Sequence, residues 1–451
     1  MKPKDYFIAN CLFFSLLSTS CTDLSQETSQ YTTLDFELMA LIRSQSLNGT
    51  INYYELPASN DYNKIPQDPK NPLSKDKVAL GAFLFHETGL SVDAKDANNK
   101  NTYSCASCHH AGAGFQSGLR QAIGEGGQGF GSKGEARIPN LKSAYWDVQS
   151  IRTPTVLNVA YQTNLFWNGQ FGATHQNTGT EHLWTEDSPS KVNKLSYLGV
   201  ESSTLASFEI HGMTLSEKII QMPAYRKLFD SAFSDEHSDQ RYSQKNASLA
   251  IAAYLRTMLP NEAPFQKYLK DNVDAMSKPE KEGAVLFFGK ANCAKCHNGP
   301  ALNSNKFSAL GFSDLVDHKD PTIHTQENEP INLGRASFTR LNEDKFKFKI
   351  PQLYNMTDSP HYGHGSSFDR IIDVLNYKNQ AIAQNKRVTA TPLDPLFVPL
   401  KLSQEEVTLL ESFLKYSLYD KNLQRYVPQV LPSGLCFPNA DLNSKYDMNC
   451  F

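Results

Sequence analysis

No stretch of this chain is basic enough to hold a nucleic-acid backbone. Its 44 lysines and arginines stand against 47 aspartates and glutamates, a net charge of −3. Polyanion binding rests on clustered positive charge, so nucleic acid is excluded as a partner. The weak acidity leaves the charge of any protein partner open. Strand-like alternation is scarce, which points away from sheet architectures. Long apolar runs are missing too. The best, Phe7–Leu17, is interrupted by Asn10 and is too short and broken to span a bilayer. It follows Lys2 and Lys4 and precedes Ser18, Thr19, Ser20 and Cys21, the order of an export signal. Residues 1–21 are therefore expected to be a signal peptide, placing the protein in the periplasm or cell envelope. Cys21 is read as a lipidated first residue, with a soluble exported protein or an uncleaved anchor as alternatives.

Cysteine is sparse as well, and the eight present sort into groups. Cys11 and Cys21 belong to the signal. Cys436 and Cys450 stand in a polar tail, where an exported protein favours a disulfide over two free thiols. The other four form two Cys-x-x-Cys-His pentapeptides, Cys105-Ala-Ser-Cys108-His109 and Cys293-Ala-Lys-Cys296-His297. Each reads as a covalent c-type haem site, in which two thiols bind the porphyrin and the histidine takes one face of the iron. A zinc reading would want a second Cys/His pair nearby, and neither motif has one. Two haem c groups are thus expected, with His109 and His297 as proximal ligands.

The surroundings of the motifs repeat. Leu73–Phe85 precedes the first and Ser277–Phe288 the second. Each opens on a helix-start serine, Ser74 or Ser277, and continues with apolar residues at helical spacing. Ser248–Met258 and Ser403–Leu418 read as helices that close over the two haems, the latter with a Ser403/Glu406 capping box. The expected fold is mainly α: two cytochrome c-like haem domains with long loops. Its 451 residues have room for this. Residues 22–64 are read as a partly flexible tether with one short helix in Phe36–Ile42. Residues 65–240 and 241–430 are read as the N- and C-terminal haem domains, and 431–451 as the tail.

The opposite face of each iron decides function, because electron transfer tolerates two ligands whereas peroxide activation needs an open face. For the second haem the residues leave Met356, Met448, His318, His324, His361, His364, Tyr354, Tyr362 and Tyr377 open. Several ordered motifs carry more. Arg152-Thr-Pro-Thr-Val-Leu-Asn-Val-Ala160, Leu165-Phe-Trp-Asn-Gly169, Phe348-Lys-Ile-Pro-Gln-Leu-Tyr-Asn355 and Ser359-Pro-His-Tyr-Gly-His-Gly-Ser366 resemble those of the bacterial dihaem cytochrome c peroxidase and MauG-like family. The likeness runs from about Leu73 to Tyr419.

That resemblance implies a peroxide-reactive haem in the N-terminal half and an electron-relaying haem in the C-terminal half. It also locates departures. Glu125 stands where many relatives carry a histidine that blocks the reactive iron, which implies an iron open without reductive activation. The family's distal glutamate is not evident after Trp167. His175 is the best local substitute as acid–base group, with Gln162 and Gln176 to orient peroxide and His182 as a weaker candidate. Counting from Gly365-Ser366 brings Tyr377 to the axial position of the second haem, with Met356 as rival. Trp167, before Trp146 or Trp184, is the candidate relay between irons. A calcium ion between the domains is implied without assignable residues, Arg152 replacing the family's asparagine, and relatives are often homodimers.

The leading expectation is an oxidoreductase that reduces hydrogen peroxide with electrons from a small exported cytochrome c or cupredoxin. A MauG-like oxidase acting on a protein residue and a non-enzymatic dihaem electron carrier are the alternatives.

Overall fold

The computed structural model describes residues 31–319, 322–389 and 393–450. The signal, Cys11 and the lipid-anchor candidate Cys21 lie outside the described residues. The protein is mainly helical, and the named strands among the described residues are two-residue pairs: Gly127–Gln128 with Ile138–Pro139, and Phe307–Ser308 with Phe348–Lys349, both antiparallel.

Two helical units are built alike. In the first, the helix Lys75–His86 is capped by Ser74, whose hydroxyl accepts from the Lys77 amide, and it crosses the helix Gln244–Arg256. In the second, Ser277 and Glu280 form a capping box for Lys278–Phe288, which crosses Gln404–Ser412, itself started by the Ser403/Glu406 box. Capping satisfies amides that have no partner inside the first turn. Both crossings depend on a glycine at the same place in the repeat. A Cβ on Gly81 would sit 1.9 Å from the Ala250 carbonyl oxygen, and one on Gly283 would sit 2.0 Å from that of Leu409. With only hydrogen there, the backbones approach closely enough for Leu80, Leu84 and Phe85 to pack with Ala247 and Ile251, and for Ala284 and Phe287 to pack with Leu410 and Phe413.

Membership of these cores corrects two boundaries. The helix Gln244–Arg256 belongs wholly to the first core, while Leu259 and the residues after it join the second. The division at 240/241 therefore falls too early: the polar run before Gln244 is a loop within the first unit. The described part of the supposed tether is also structured, and the short helix expected at Phe36–Ile42 is present and longer. Thr33–Gln45 is a helix whose Leu38, Met39 and Ile42 are buried in the second core. Its buried Asp35 forms a 2.7 Å ion pair with Lys281 and accepts a 3.1 Å hydrogen bond from the Tyr268 hydroxyl.

The tail does the converse. Cys436 and Cys450 form a disulfide, and the segment they close lies on the first unit. The Pro438 carbonyl accepts from the hydroxyls of Ser104 and Ser107 at 2.8 and 3.0 Å, on either side of Cys105. Asp447 accepts from the amides of Phe130 and Gly131. The chain's beginning thus braces its second half and its end braces the first.

Candidate functional site

One continuous cavity of about 990 Å³ is lined by both CxxCH motifs. That is the upper end of the roughly 300–1,000 Å³ usual for a ligand site, and its walls are mostly apolar side chains. Each motif folds as a single tight turn, Cys105–Ser107 or Cys293–Lys295, closed by a hydrogen bond from the histidine amide to the first cysteine's carbonyl: 3.1 Å for His109 and 2.9 Å for His297. The turn brings both sulfurs and the imidazole to one wall.

The imidazoles are set as ligands. Nδ1 of His109 donates to the Phe115 carbonyl at 3.3 Å, and Nδ1 of His297 lies 3.2 and 3.1 Å from the carbonyls of Leu302 and Pro351. A carbonyl only accepts, so Nδ1 carries the hydrogen and Nε2 keeps its lone pair. Burial pushes both rings down to about 4, which keeps them neutral. Burial also pushes the thiols of Cys105, Cys108 and Cys293 up to about 12, the opposite of what a zinc thiolate needs. None of the four cysteines is in a disulfide. Neutral thiols, neutral imidazoles and a large apolar cavity shared by both motifs fit two covalently held haems.

On the first motif's side the wall includes Ser203, Thr204, Ser207 and His211, all presented by the helix Gly199–Ile210 and the residue after it. Nδ1 of His211 lies 2.6 Å from Oδ2 of Asp147, which also lines the cavity. Burial pushes His211 down, but the charge and hydrogen bond of Asp147 outweigh it and hold the imidazole above its ordinary value. His211 is close enough to His109 to depress it electrostatically. With Nδ1 committed to Asp147, Nε2 is the atom left for the cavity.

The segment around Glu125, expected to lack a blocking histidine, is what holds Asp147. The Glu125 carbonyl accepts from the Asp147 amide at 2.9 Å, and the Gly124 amide donates to the Asp147 carbonyl at 2.9 Å. The Glu125 carboxylate is turned away from the cavity into the amides of Lys95 and Asp96, at 3.0 and 2.7 Å. It serves as a scaffold.

Three expected placements, those of His175, His182 and Gln176, are corrected. His175 is exposed and outside the cavity wall, in a turn with φ +57° where its Nδ1 pairs with the Thr174 hydroxyl. His182 and Gln176 are likewise exposed and off the wall. Tyr377 is buried directly behind the wall, against Leu310, Phe312 and Phe397, which line it. On the helix Ile371–Gln380 the wall is made by Ile371, Val374, Leu375 and Lys378, the i, i+3, i+4, i+7 face. Tyr377 is one residue off that face. Its hydroxyl donates to the Leu310 carbonyl, and its ring packs against Phe312, Phe368 and Phe397.

Gln162, by contrast, lines the cavity and accepts through Oε1 from Nζ of Lys349, which also donates to the Asn164 carbonyl at 2.9 Å. Burial without a counter-ion pushes this lysine down to about 7. Trp167 is also on the wall. Its Nε1 donates to the Arg152 carbonyl at 2.8 Å, and its ring centroid is 6.3 Å from that of His364 in the second unit. His364 stacks on Phe348 at 3.6 Å and pairs through Nε2 with buried Asp314. Met356 lines the cavity as well.

Arg152 spans the units. Its guanidinium donates to the carbonyls of Leu119 and Ser117 and to the Ser359 hydroxyl, and burial pushes it down to about 10. The acceptors here are taken by a positive group. Among the described residues no cluster of three or more His, Cys, Asp or Glu could hold a metal ion. No residue is assigned to calcium.

Sequence reasoning missed His211, Asp147, Lys349 and Lys378. A signal existed for two of them. Ser203, Ser207 and His211 repeat at i, i+4, i+8, one polar face running to the residue after the helix, and Lys378 completes an apolar stripe with a charge.

The model of the family described as di-haem cytochrome c peroxidase matches residues 75–274. The cytochrome-c peroxidase IdrP1 of Pseudomonas sp. is 27% identical over 369 residues, covering 78% of this chain and 83% of that protein. The methylamine utilization protein MauG of Methylorubrum extorquens is 26% identical over 315 residues, 69% of this chain and 71% of that protein. The cytochrome c peroxidase Ccp of Escherichia coli is 29% identical over 301 residues, 66% of this chain and 52% of that protein. A solved MauG-like protein associated with microbial copper homeostasis superposes with a TM-score of 0.56 at 22% identity, covering 82% of this chain and 96% of that one, which shows a shared fold.

Proposed function

Because the chain belongs to the dihaem cytochrome c peroxidase and MauG-like family, whose haem c is covalently bound, we propose that it reduces hydrogen peroxide to water. Two electrons come from a small exported cytochrome c or cupredoxin, and two protons complete two waters. The two units act as cytochrome c-like domains, and residues 1–21 direct the protein to the periplasm, with Cys21 as the lipid-anchor site.

One observation carries the reading: the His211–Asp147 pair shares the cavity with Cys105, Cys108 and His109. Bound haem supplies the redox-active iron at which peroxide is cleaved. The chain supplies the proton handling. Nε2 of His211 takes the proton from one peroxide oxygen and returns it to the departing one, while Asp147 fixes the ring and balances its charge. Gln162 and Lys349 offer a second polar edge, and Trp167 lies on the route between the halves. Wild-type protein should oxidise a reduced donor on addition of peroxide. His211→Gln, with both haems attached, should slow that reaction by about 10²-fold or more. An unchanged rate would rule out this assignment.

The named MauG relative favours one second reading, oxidation of a protein residue at a distance. Tyr377, its main support in the sequence, lies beside the cavity wall with its hydroxyl on the Leu310 carbonyl. Stoichiometric turnover of a soluble donor distinguishes the two.

A further inference from the structure

We propose that the outer rim of the cavity beside Cys296, built by Lys295, Lys306, Leu396 and Val398, is the docking surface for the electron donor, and that this donor is a small redox protein whose apolar contact face is edged by carboxylates. This rests on the peroxidase reading above and deepens it, since it names where electrons enter and the charge of what brings them.

The repeat supplies the first argument. The two CxxCH turns are alike, but they are covered differently. In the first, Ala106 and Ser107 are buried, and the Ser107 hydroxyl donates to the Pro438 carbonyl of the disulfide-closed tail at 3.0 Å. In the second, Lys295 takes the place of Ser107 and is exposed while still lining the cavity. The second turn is therefore the one that a protein partner can approach.

A short strap, residues 394–400, completes the rim. It is tied at both ends: the Asp394 amide donates to the Ala309 carbonyl at 2.9 Å, and the Leu400 amide to the Asn379 carbonyl at 3.2 Å. Phe397 is buried at its middle, its ring centroid 5.3 Å from that of Tyr377. The residues on either side, Leu396 and Val398, line the cavity and yet are 50% and 53% exposed. They are held where they meet both the cavity and solvent. An apolar centre of this kind inside a charged rim is the composition of a protein contact.

The rim is positive although the chain as a whole is not. Three lysines, Lys295, Lys306 and Lys378, and one carboxylate, Asp394, are within electrostatic reach of Cys296. Asp394 is occupied by the Ser308 hydroxyl at 2.7 Å and the Leu396 amide at 2.9 Å. Lys295 and Lys306 are exposed, and neither is in an ion pair among the described residues. The net charge of −3 therefore does not describe this surface, whose local field attracts carboxylates. Complementary charge speeds and orients the encounter. A small apolar centre lets the partner leave again, as redox contacts below about 1,200 Å² do. Each docked donor gives up one electron here and departs oxidised. Two visits supply the two electrons that, with two protons, turn one peroxide into two waters.

The test uses the full-length holoprotein, with both haems counted by pyridine haemochrome in every variant. Two reduced probes of opposite charge are compared, an acidic cupredoxin and a basic mitochondrial cytochrome c. Reduction of the ferric holoprotein is followed by stopped flow without peroxide, at low and high salt. Binding is read separately, by NMR line broadening of the zinc-substituted cupredoxin. Wild type should react faster with the acidic probe, and salt should slow that reaction. Lys295→Glu combined with Lys306→Glu should slow it about 10-fold or more at low salt and turn the preference toward the basic probe. Val398→Asp should weaken binding of the zinc-substituted cupredoxin. Lys142→Glu, the same charge change at an exposed site on the first unit, should leave the rate where it is. A wild type that prefers the basic probe, an unchanged rate in the double variant, an equal fall in Lys142→Glu, or undiminished binding by Val398→Asp would overturn the proposal. Peroxide turnover, measured separately, decides the parent reading alone.

Discussion

In the proposed reaction, peroxide chemistry turns on His211, and its behaviour follows from two opposed effects. Burial drives the imidazole toward neutrality, while Asp147, 2.6 Å away, favours the charged ring and prevails. Proton abstraction needs the neutral form. The rate of reaction with peroxide should therefore rise with pH through a value above the ordinary 6.5 or so of histidine. Asp147→Asn removes the raising influence and leaves burial, so the rising limb should move to lower pH. Stopped-flow traces of the first haem against pH would show this, and an unmoved limb would assign the step to another group. Trp167 has a different role. Trp167→Phe should leave the initial peroxide reaction intact and slow electron redistribution between the haems, read as their separate optical changes after mixing. Residue-scale chemistry was legible where it is contiguous. A covalent haem needs its cysteines and histidine in five consecutive positions, so both sites stand in the sequence. The His211–Asp147 pair spans 64 positions and is joined only by the fold.

At the scale of elements, the helix crossings carry the architecture. Gly81 and Gly283 each face a carbonyl that a methyl group would strike. Gly81→Ala or Gly283→Ala should separate the helices and cost about 1–3 kcal/mol, measured by denaturant unfolding of the holoprotein. The helix Gly199–Ile210 is tied to Gln244–Arg256 by a fully buried pair, Glu201 and Arg256, at 2.5 and 2.8 Å. Glu201→Ala would strand the guanidinium in the interior, at a cost of about 3–5 kcal/mol. It would also loosen the helix that carries His211. The opening helices were legible, because a capping serine followed by apolar residues at helical spacing is a local pattern. Counting residues from a motif to Tyr377 says nothing of rotation about the helix: at 100° per residue, Lys378 stands on the cavity wall and Tyr377 in the aromatic cluster beside it.

Across the whole molecule, the two ends are exchanged between halves. Asp35 and its helix brace the second unit, while the disulfide-closed tail rests on the first, with Pro438 beside the first motif and Asp441 and Asp447 on the Gly129–Gly131 loop. Opening the tail loop by Cys436→Ser should cost up to about 3 kcal/mol. Deleting residues 436–451 should lower haem attachment at Cys105 and Cys108 while Cys293 and Cys296 load normally, a difference that mass spectrometry of haem peptides resolves. This exchange was not legible in advance. Local composition gives no hint of the distant surface a segment will settle on, and so the helix in Phe36–Ile42 was legible but its docking on the second unit was not, and the domain division fell short of Gln244. Two bound haems, only one of them open to peroxide, remain the claim on which all else depends. Ferric EPR of the exported protein, paired with a haemochrome count and repeated after one equivalent of peroxide, tests it most directly. Two haems per chain and a single high-spin signal that vanishes on peroxide addition are the predicted result. No haemochrome, or two low-spin irons indifferent to peroxide, would contradict it.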